Sequence, residues 1–300
     1  MIVPLAHVGG VSLEPLQLAP ALGVVALYWL RCRRLGQTHR AVPRARQVSF
    51  YVGIALCAAA VASPLGHLSD ELLLAHMAEH LLIADLGALF IVLGLTGPLI
   101  APLLRIRWID RLRVLAHPAV ALPLWAVDLY LWHLPAAYEG ALRHSGLHAL
   151  QHGAFLFFGA NMWMALFGPL PMPQWFGNFA RLVYIIAVRL IGAVLGNVFV
   201  WSGSVFYDFY ARGEAHWNIT PLTDQNVAGA IMMVEGSIVT ICLFAWLFLR
   251  SAREGDERQQ LLDLAVERGV ELSEERAARA VRAGRGHELR RRLEGASEGR

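Results

Sequence analysis

Apolar runs long enough to cross a lipid bilayer dominate this chain, and they leave few folds open to it. A hydrocarbon core needs roughly 20 mostly apolar residues per helix. Stretches of that kind fall near 16–30, 48–63, 72–104, 119–134, 147–168, 182–203 and 225–249. Charges make up 16% of the 300 residues, against roughly 25% in a soluble domain. Nearly half of those charges sit in the last fifty residues, so the first 250 are poorer still. The expected fold is therefore all-α: a polytopic transmembrane helical bundle of about seven spans over 1–250, with a charged cytoplasmic helical tail over 251–300. In the third stretch, Pro98 lacks a backbone donor and is disfavoured inside a helix, which places the helix end near Leu95. Met1 to Gly23 shows no basic leader and no small-residue cleavage site, so the first apolar helix is expected to act as its own insertion signal. Cys32, Cys57 and Cys242 are far apart and give neither a disulfide framework nor a thiolate metal site.

Arginine placement gives an orientation. Loops on the cytoplasmic side are enriched in positive charge. The loop after the first stretch carries Arg31, Arg33, Arg34, Arg40, Arg44 and Arg46, and the loop after the third carries Arg105, Arg107, Arg111 and Arg113. The alternate loops carry almost none. The N-terminus is therefore expected outside, and the basic loops and C-terminal tail inside. In the tail, Leu261 to Val266 and Ala277 to Leu289 read as two short amphipathic helices, the second opened by Ser273 as N-cap. Acids and arginines nearly balance there, which does not suit a polybasic lipid-binding segment.

The histidines obey the opposite sidedness. His7, His67, His76, His80, His133, His144, His148, His152 and His216 fall on or near the expected outer side; His39, His117 and His287 fall inside. His76 and His80 open the third stretch at i,i+4 spacing, which puts both imidazoles on one helix face. His144, His148 and His152 step into the fifth at the same interval, and His133 ends the fourth. Polar groups in a membrane face the bundle interior or a wet cavity, and imidazole suits Zn, Cu, Fe and Ni. His76, His80, His133, His148 and His152 are thus candidate metal ligands. Haem ligation is an alternative for such pairs on facing helices.

Asp85, Asp128, Arg189 and Glu235 lie near mid-span, and an isolated charge is expensive there, so Arg189 is expected to pair with one of the acids. A proton or ion transporter is the function class those four residues would serve. Asp224 is expected to cap the last span at its N-terminus. Met77 is the methionine placed to add a thioether to the histidines. No phosphate-binding loop, nucleophile elbow, HExxH or dinucleotide fingerprint occurs, so an enzyme is not expected.

These residues carry a resemblance. His76-Met-Ala-Glu-His80-Leu-Leu is similar to the HMxxHLL motif of the CtaG-type cytochrome c oxidase assembly factors. Trp132-His133-Leu-Pro135-Ala-Ala-Tyr138-Glu-Gly-Ala141-Leu142 resembles that family's WHxPxxYxxAL element. His148-Ala-Leu-Gln151-His152 resembles its HxxEH motif, and Asp224-Gln225-Asn-Val-Ala228-Gly229-Ala-Ile-Met232 its DQxxAGxxM element. The resemblance runs in family order over roughly 15–250. Gln151 departs from it, standing where the motif has an acid. The resemblance implies a multi-pass protein of the bacterial cell membrane. It also implies a copper cargo and, as partners, cytochrome c oxidase subunits in the lipid bilayer, with no nucleic acid.

Overall fold

The computed structural model describes residues 15–295. It is 82% helix, with no strand among the described residues. Eight helices carry the apolar stretches, and two of them carry His76, His80, His148 and His152: α1 (Pro15–Gly36), α2 (Arg44–Ala62), α3 (Leu73–Gly94), α4 (Pro118–Trp132), α5 (Pro135–Arg143), α6 (Ser145–Phe167), α7 (Asn178–Trp201) and α8 (Pro221–Glu267). Each of the seven stretches falls on one of these helices. Proline opens α1, α4, α5 and α8, where its fixed φ suits the first turn and its missing N–H costs nothing. His117 caps α4, its Nδ1 accepting from the Ala119 N–H at 3.2 Å.

α2, α3, α7 and α8 are each long and apolar enough to cross a membrane by length and composition. A fifth crossing is available if Arg107–Ala116 and α4, bent by 78° at His117, count as one broken span. α6 falls short on composition because His148, Gln151, His152 and Asn161 interrupt its apolar sequence.

The third stretch ends where Pro98 predicts. Helix stops at Gly94, and Leu95 is extended at φ −81°, ψ 144°. Arg46 donates to the Leu93 and Leu95 carbonyls at 3.0 and 2.9 Å, so a basic-loop residue also satisfies the open end of α3. Midway, α3 widens into a π-helical turn at Leu82–Gly87. α6 packs directly on this turn, and a Cβ added at Gly159 would overlap the Ala84 carbonyl. Gly159 thereby sets how closely α3 and α6 approach.

The chain divides after Ile238 into two compact units. In the second, the tail departs from the expected pair of helices. Leu261 to Val266 lie on α8 itself, which runs unbroken for 47 residues. No proline interrupts 222–267, and Arg250 supports the helix with an i,i+4 bond to Glu254 at 2.7 Å. Gly269, at φ +62°, ends it. Ser273 does cap the next helix, α9 (Glu274–Arg282), accepting from Arg276 N–H at 3.3 Å. Gly284, at φ +67°, then separates it from α10 (Gly286–Gly295). Leu261, Ala265, Val281, Leu289 and Leu293 form a small apolar core in this unit.

Candidate metal centre

Two helices supply two imidazoles each. On α3 the rings of His76 and His80 are 4.3 Å apart between centroids; on α6 those of His148 and His152 are 4.2 Å apart. Across the helix pair, His76 faces His148 at 5.3 Å and His80 faces His152 at 5.4 Å. One nitrogen from each of the four lies within 4.8 Å of all the others. His76, His80 and His152 are buried, and His148 is half-buried.

Hydrogen bonds fix two of the tautomers. The His76 Nδ1 faces the Ser69 carbonyl at 3.3 Å, and the His133 Nδ1 faces the Leu129 carbonyl at 2.7 Å. A carbonyl only accepts, so each Nδ1 carries the proton and each Nε2 presents its lone pair. Those two Nε2 atoms are buried with no hydrogen-bond partner, as are both nitrogens of His80 and the Nε2 of His148. Leaving one buried polar atom unsatisfied costs about 1–3 kcal/mol, so a cluster of them calls for an explanation. A metal ion supplies one: neutral imidazole lone pairs, two with their second nitrogen anchored to a carbonyl, are the donor set of a first-row transition metal. His133 stands beside the four rather than among them, its ring 6.2 Å from that of His80.

Other predicted residues fall elsewhere. His67, His144 and His216 are exposed, and His67 lies 3.8 Å from Glu71. His7 is outside the described residues. Met77 is buried in a core cluster with Leu73, Leu195, Phe199 and Tyr138. Arg189 forms no direct ion pair among the described residues, although its charge acts on Glu235; its guanidinium donates to the Met233 carbonyl at 3.0 Å and the Ser237 hydroxyl at 2.8 Å. Helix backbone and a hydroxyl are nearer to it than any of the expected acids. Gln151 is fully buried, with both amide atoms unpartnered.

Four neighbours of the cluster escaped the sequence reading as site residues. Glu79 is buried, with Oε1 3.9 Å from His152 Nε2. A third polar residue within His76–His80, on an apolar helix, was the signal that it too turns inward. Tyr138 is fully buried, 5.2 Å from His76 between centroids. Tyr210 meets it hydroxyl to hydroxyl at 2.8 Å. Tyr207 stacks on Tyr138 at 4.0 Å and donates to the His133 carbonyl at 2.7 Å. Tyr207 and Tyr210 come from the short 202–210 connection, an irregular stretch closed by one 3-10 turn at Asp208–Tyr210, whose sequence carries no periodicity to point them inward.

Asp224 corrects an expectation. It does not cap its own helix. Its two carboxylate oxygens accept from the Leu73 and Leu74 N–H groups, both at 2.8 Å, so it caps α3, whose own N-cap residue, Leu72, has no side-chain acceptor. Glu214, buried beside it, hydrogen-bonds to Asp224. Burial, then the charges of Asp224 and Asp208, push the Glu214 carboxyl up to about 7. The folded state holds this proton long after an unfolded chain has released it. Stability should therefore fall as pH rises from the ordinary carboxylate range to about 7, and level off above. Melting curves between pH 5 and 8 check this: Glu214→Gln should flatten that part of the profile, and an unchanged slope would show that another group sets it.

The chain matches the model of the cytochrome c oxidase caa3 assembly factor family (Caa3_CtaG) over residues 26–254. No curated protein and no solved structure matches it.

Proposed function

The chain belongs to the cytochrome c oxidase caa3 assembly factor family, and from that premise we propose that it carries copper to the oxidase. His76, His80, His148 and His152 would hold the ion, with His133 as a further imidazole during exchange. The observation that carries this reading is the convergence of four imidazole nitrogens within 4.8 Å, on rings of which His76, His80 and His148 each hold a buried nitrogen with no hydrogen-bond partner. Among divalent first-row metals, copper binds nitrogen donors most tightly. A neutral set without thiolate suits release: imidazoles can be replaced one at a time by those of a recipient subunit. The protein would act as a delivery factor rather than an enzyme.

The reading includes a multi-pass arrangement in the bacterial cell membrane, with seven crossings, the N-terminus and the histidine end outside, and the basic loops inside. Arginine asymmetry supports it. The haem alternative finds less support, because the histidine rings are in contact with one another and with Tyr138 and Phe155, leaving little space for a macrocycle.

A host lacking its own copy tests the proposal. The wild-type gene should restore an oxidase with full copper content, and His76→Ala/His80→Ala should leave the oxidase short of copper relative to haem. Full copper occupancy with that variant would sink the proposal.

A further inference from the structure

The chain between α3 and α4 holds a second feature, remote in sequence from the histidines. Arg107–Leu112 and the turn after it run at 78° to α4. If α4 crosses the bilayer, as proposed above, this segment lies along the surface. Its composition fits that position. Ile106, Trp108, Leu112 and Val114 are exposed, Trp108 by 65%, and they alternate with Arg105, Arg107, Arg111 and Arg113. Exposed aromatic and aliphatic groups interleaved with arginines make an interfacial segment: the apolar groups enter the acyl boundary and the cations stay at headgroup level.

Beside it opens a cleft of about 570 Å³, lined by Arg111, Arg113 and His117 together with the 170–173 segment. Asp110 also lines it, but its charge is engaged by Arg113 at 3.4 Å. Arg111 has no ion-pair partner among the described residues. The His117 Nδ1 is occupied by the Ala119 N–H, so the proton sits on Nε2, which is a donor. The 170–173 segment, Leu170-Pro171-Met172-Pro173, is apolar, and exposed Trp175 packs edge-on to His117 at 6.0 Å.

We propose that this cleft binds the headgroup of an anionic phospholipid, phosphatidylglycerol or cardiolipin, with Arg111, Arg113 and His117 donating to the phosphate and the acyl chains lying against the exposed apolar residues. The lining combines the cationic and N–H donors of Arg111, Arg113 and His117 with the apolar 170–173 segment, which is the chemistry of a lipid at the interface rather than of a free anion. It shares with the copper reading only the membrane crossing of α4, and metal binding can fail without touching it.

The test is native mass spectrometry of the full chain in detergent, titrated with dioleoyl-phosphatidylglycerol or dioleoyl-phosphatidylcholine. With the Arg113 charge offset by Asp110, the wild type should prefer phosphatidylglycerol by about 5-fold, the value one uncompensated interfacial arginine supplies. Arg111→Gln/Arg113→Gln should abolish the preference. Arg33→Gln/Arg34→Gln, an equal loss of charge at the end of α1, should retain it. Equal retention of both lipids by the wild type, or equal loss in both variants, would overturn the site in favour of a diffuse charge effect. Displacement of the lipid by stoichiometric inorganic phosphate would overturn the lipid as its ligand.

Discussion

Purified protein carrying His76→Ala and His80→Ala together should bind copper more than about 100-fold more weakly than the wild type. Replacing an outer-sphere partner of a metal ligand already costs 10- to 100-fold, and this pair removes two of the four nitrogens that converge within 4.8 Å. The two imidazoles left on α6 cannot close a four-coordinate site. Growth with copper and zinc both available, followed by elemental mass spectrometry, reads the bound metal directly. Alanine also opens space beside Tyr138 and Phe155, so His76→Gln/His80→Gln serves as a companion that keeps most of the volume. Both should stay helical. Copper should raise the melting temperature of the wild type and leave both variants unmoved. At a free copper level 100 times the dissociation constant, the linkage is worth about 2.7 kcal/mol. Stoichiometric copper on either variant would rule out these four residues as the site. His133→Ala should have a smaller effect, since its ring stands beside the four.

The contrast between what this sequence discloses and what it hides follows from the range of the interactions. Helix identity and helix face are local. Apolar length marks the stretches, and i,i+4 spacing puts His76 with His80, and His148 with His152, on one side of their helices. The end of α3 at Gly94 was legible for the same reason, because Pro98 stops it from a few residues away. That both pairs point at each other is not local, although burying four polar rings in apolar helices leaves few other directions. A difference of four residues was lost. His144 belongs to the same periodic series as His148, yet it sits at the N-cap of α6 and is exposed. The tail helices were misjudged at Arg250, where charge rises but no helix stop occurs, so α8 continues.

The longest-range misreading concerns Asp224. Periodicity and capping rules attach an acid to the helix that follows it, and nothing in the neighbouring sequence reveals that its partners are 150 and 151 residues away. With the partners in view, the short Asp224–Gly229 run becomes a set of physical tasks. Asp224 satisfies two orphan donors of α3. Gln225 pins the 202–206 turn, accepting from Phe206 N–H at 2.9 Å and donating to the Ser204 carbonyl at 3.1 Å. Gly229 lets α8 cross α7, since a Cβ there would come within 2.6 Å of the Gly196 carbonyl. The run touches none of the four histidines, yet it fixes the helix that carries two of them and the segment that brings Tyr207 and Tyr210 against them.

Asp224→Ala should therefore destabilise the protein and weaken copper binding, without removing any ligand. It deletes two charge-assisted hydrogen bonds, each at 2.8 Å, and leaves the Leu73 and Leu74 N–H groups buried at the start of α3. Hydrogen bonds to a charged group contribute about 1.5–3 kcal/mol each, and the favourable placement of an acid at a helix N-terminus is lost as well. Part of that is recovered by water or by fraying of the first turn, so a net loss of about 3 kcal/mol is expected, or roughly 10 °C in melting temperature. His76 lies one turn inside this end, and fraying displaces it first. Copper affinity should drop accordingly, while His80, a turn deeper, keeps its place. Asp224→Asn separates charge from shape: its carbonyl can still accept one N–H, but its amide confronts the other, so its loss should fall between wild type and alanine. The two variants should keep the same order in thermal unfolding and in copper retention. A wild-type melting temperature for Asp224→Ala would show that α3 does not depend on this cap, and unchanged copper affinity in a destabilised variant would show that the cap acts on stability alone.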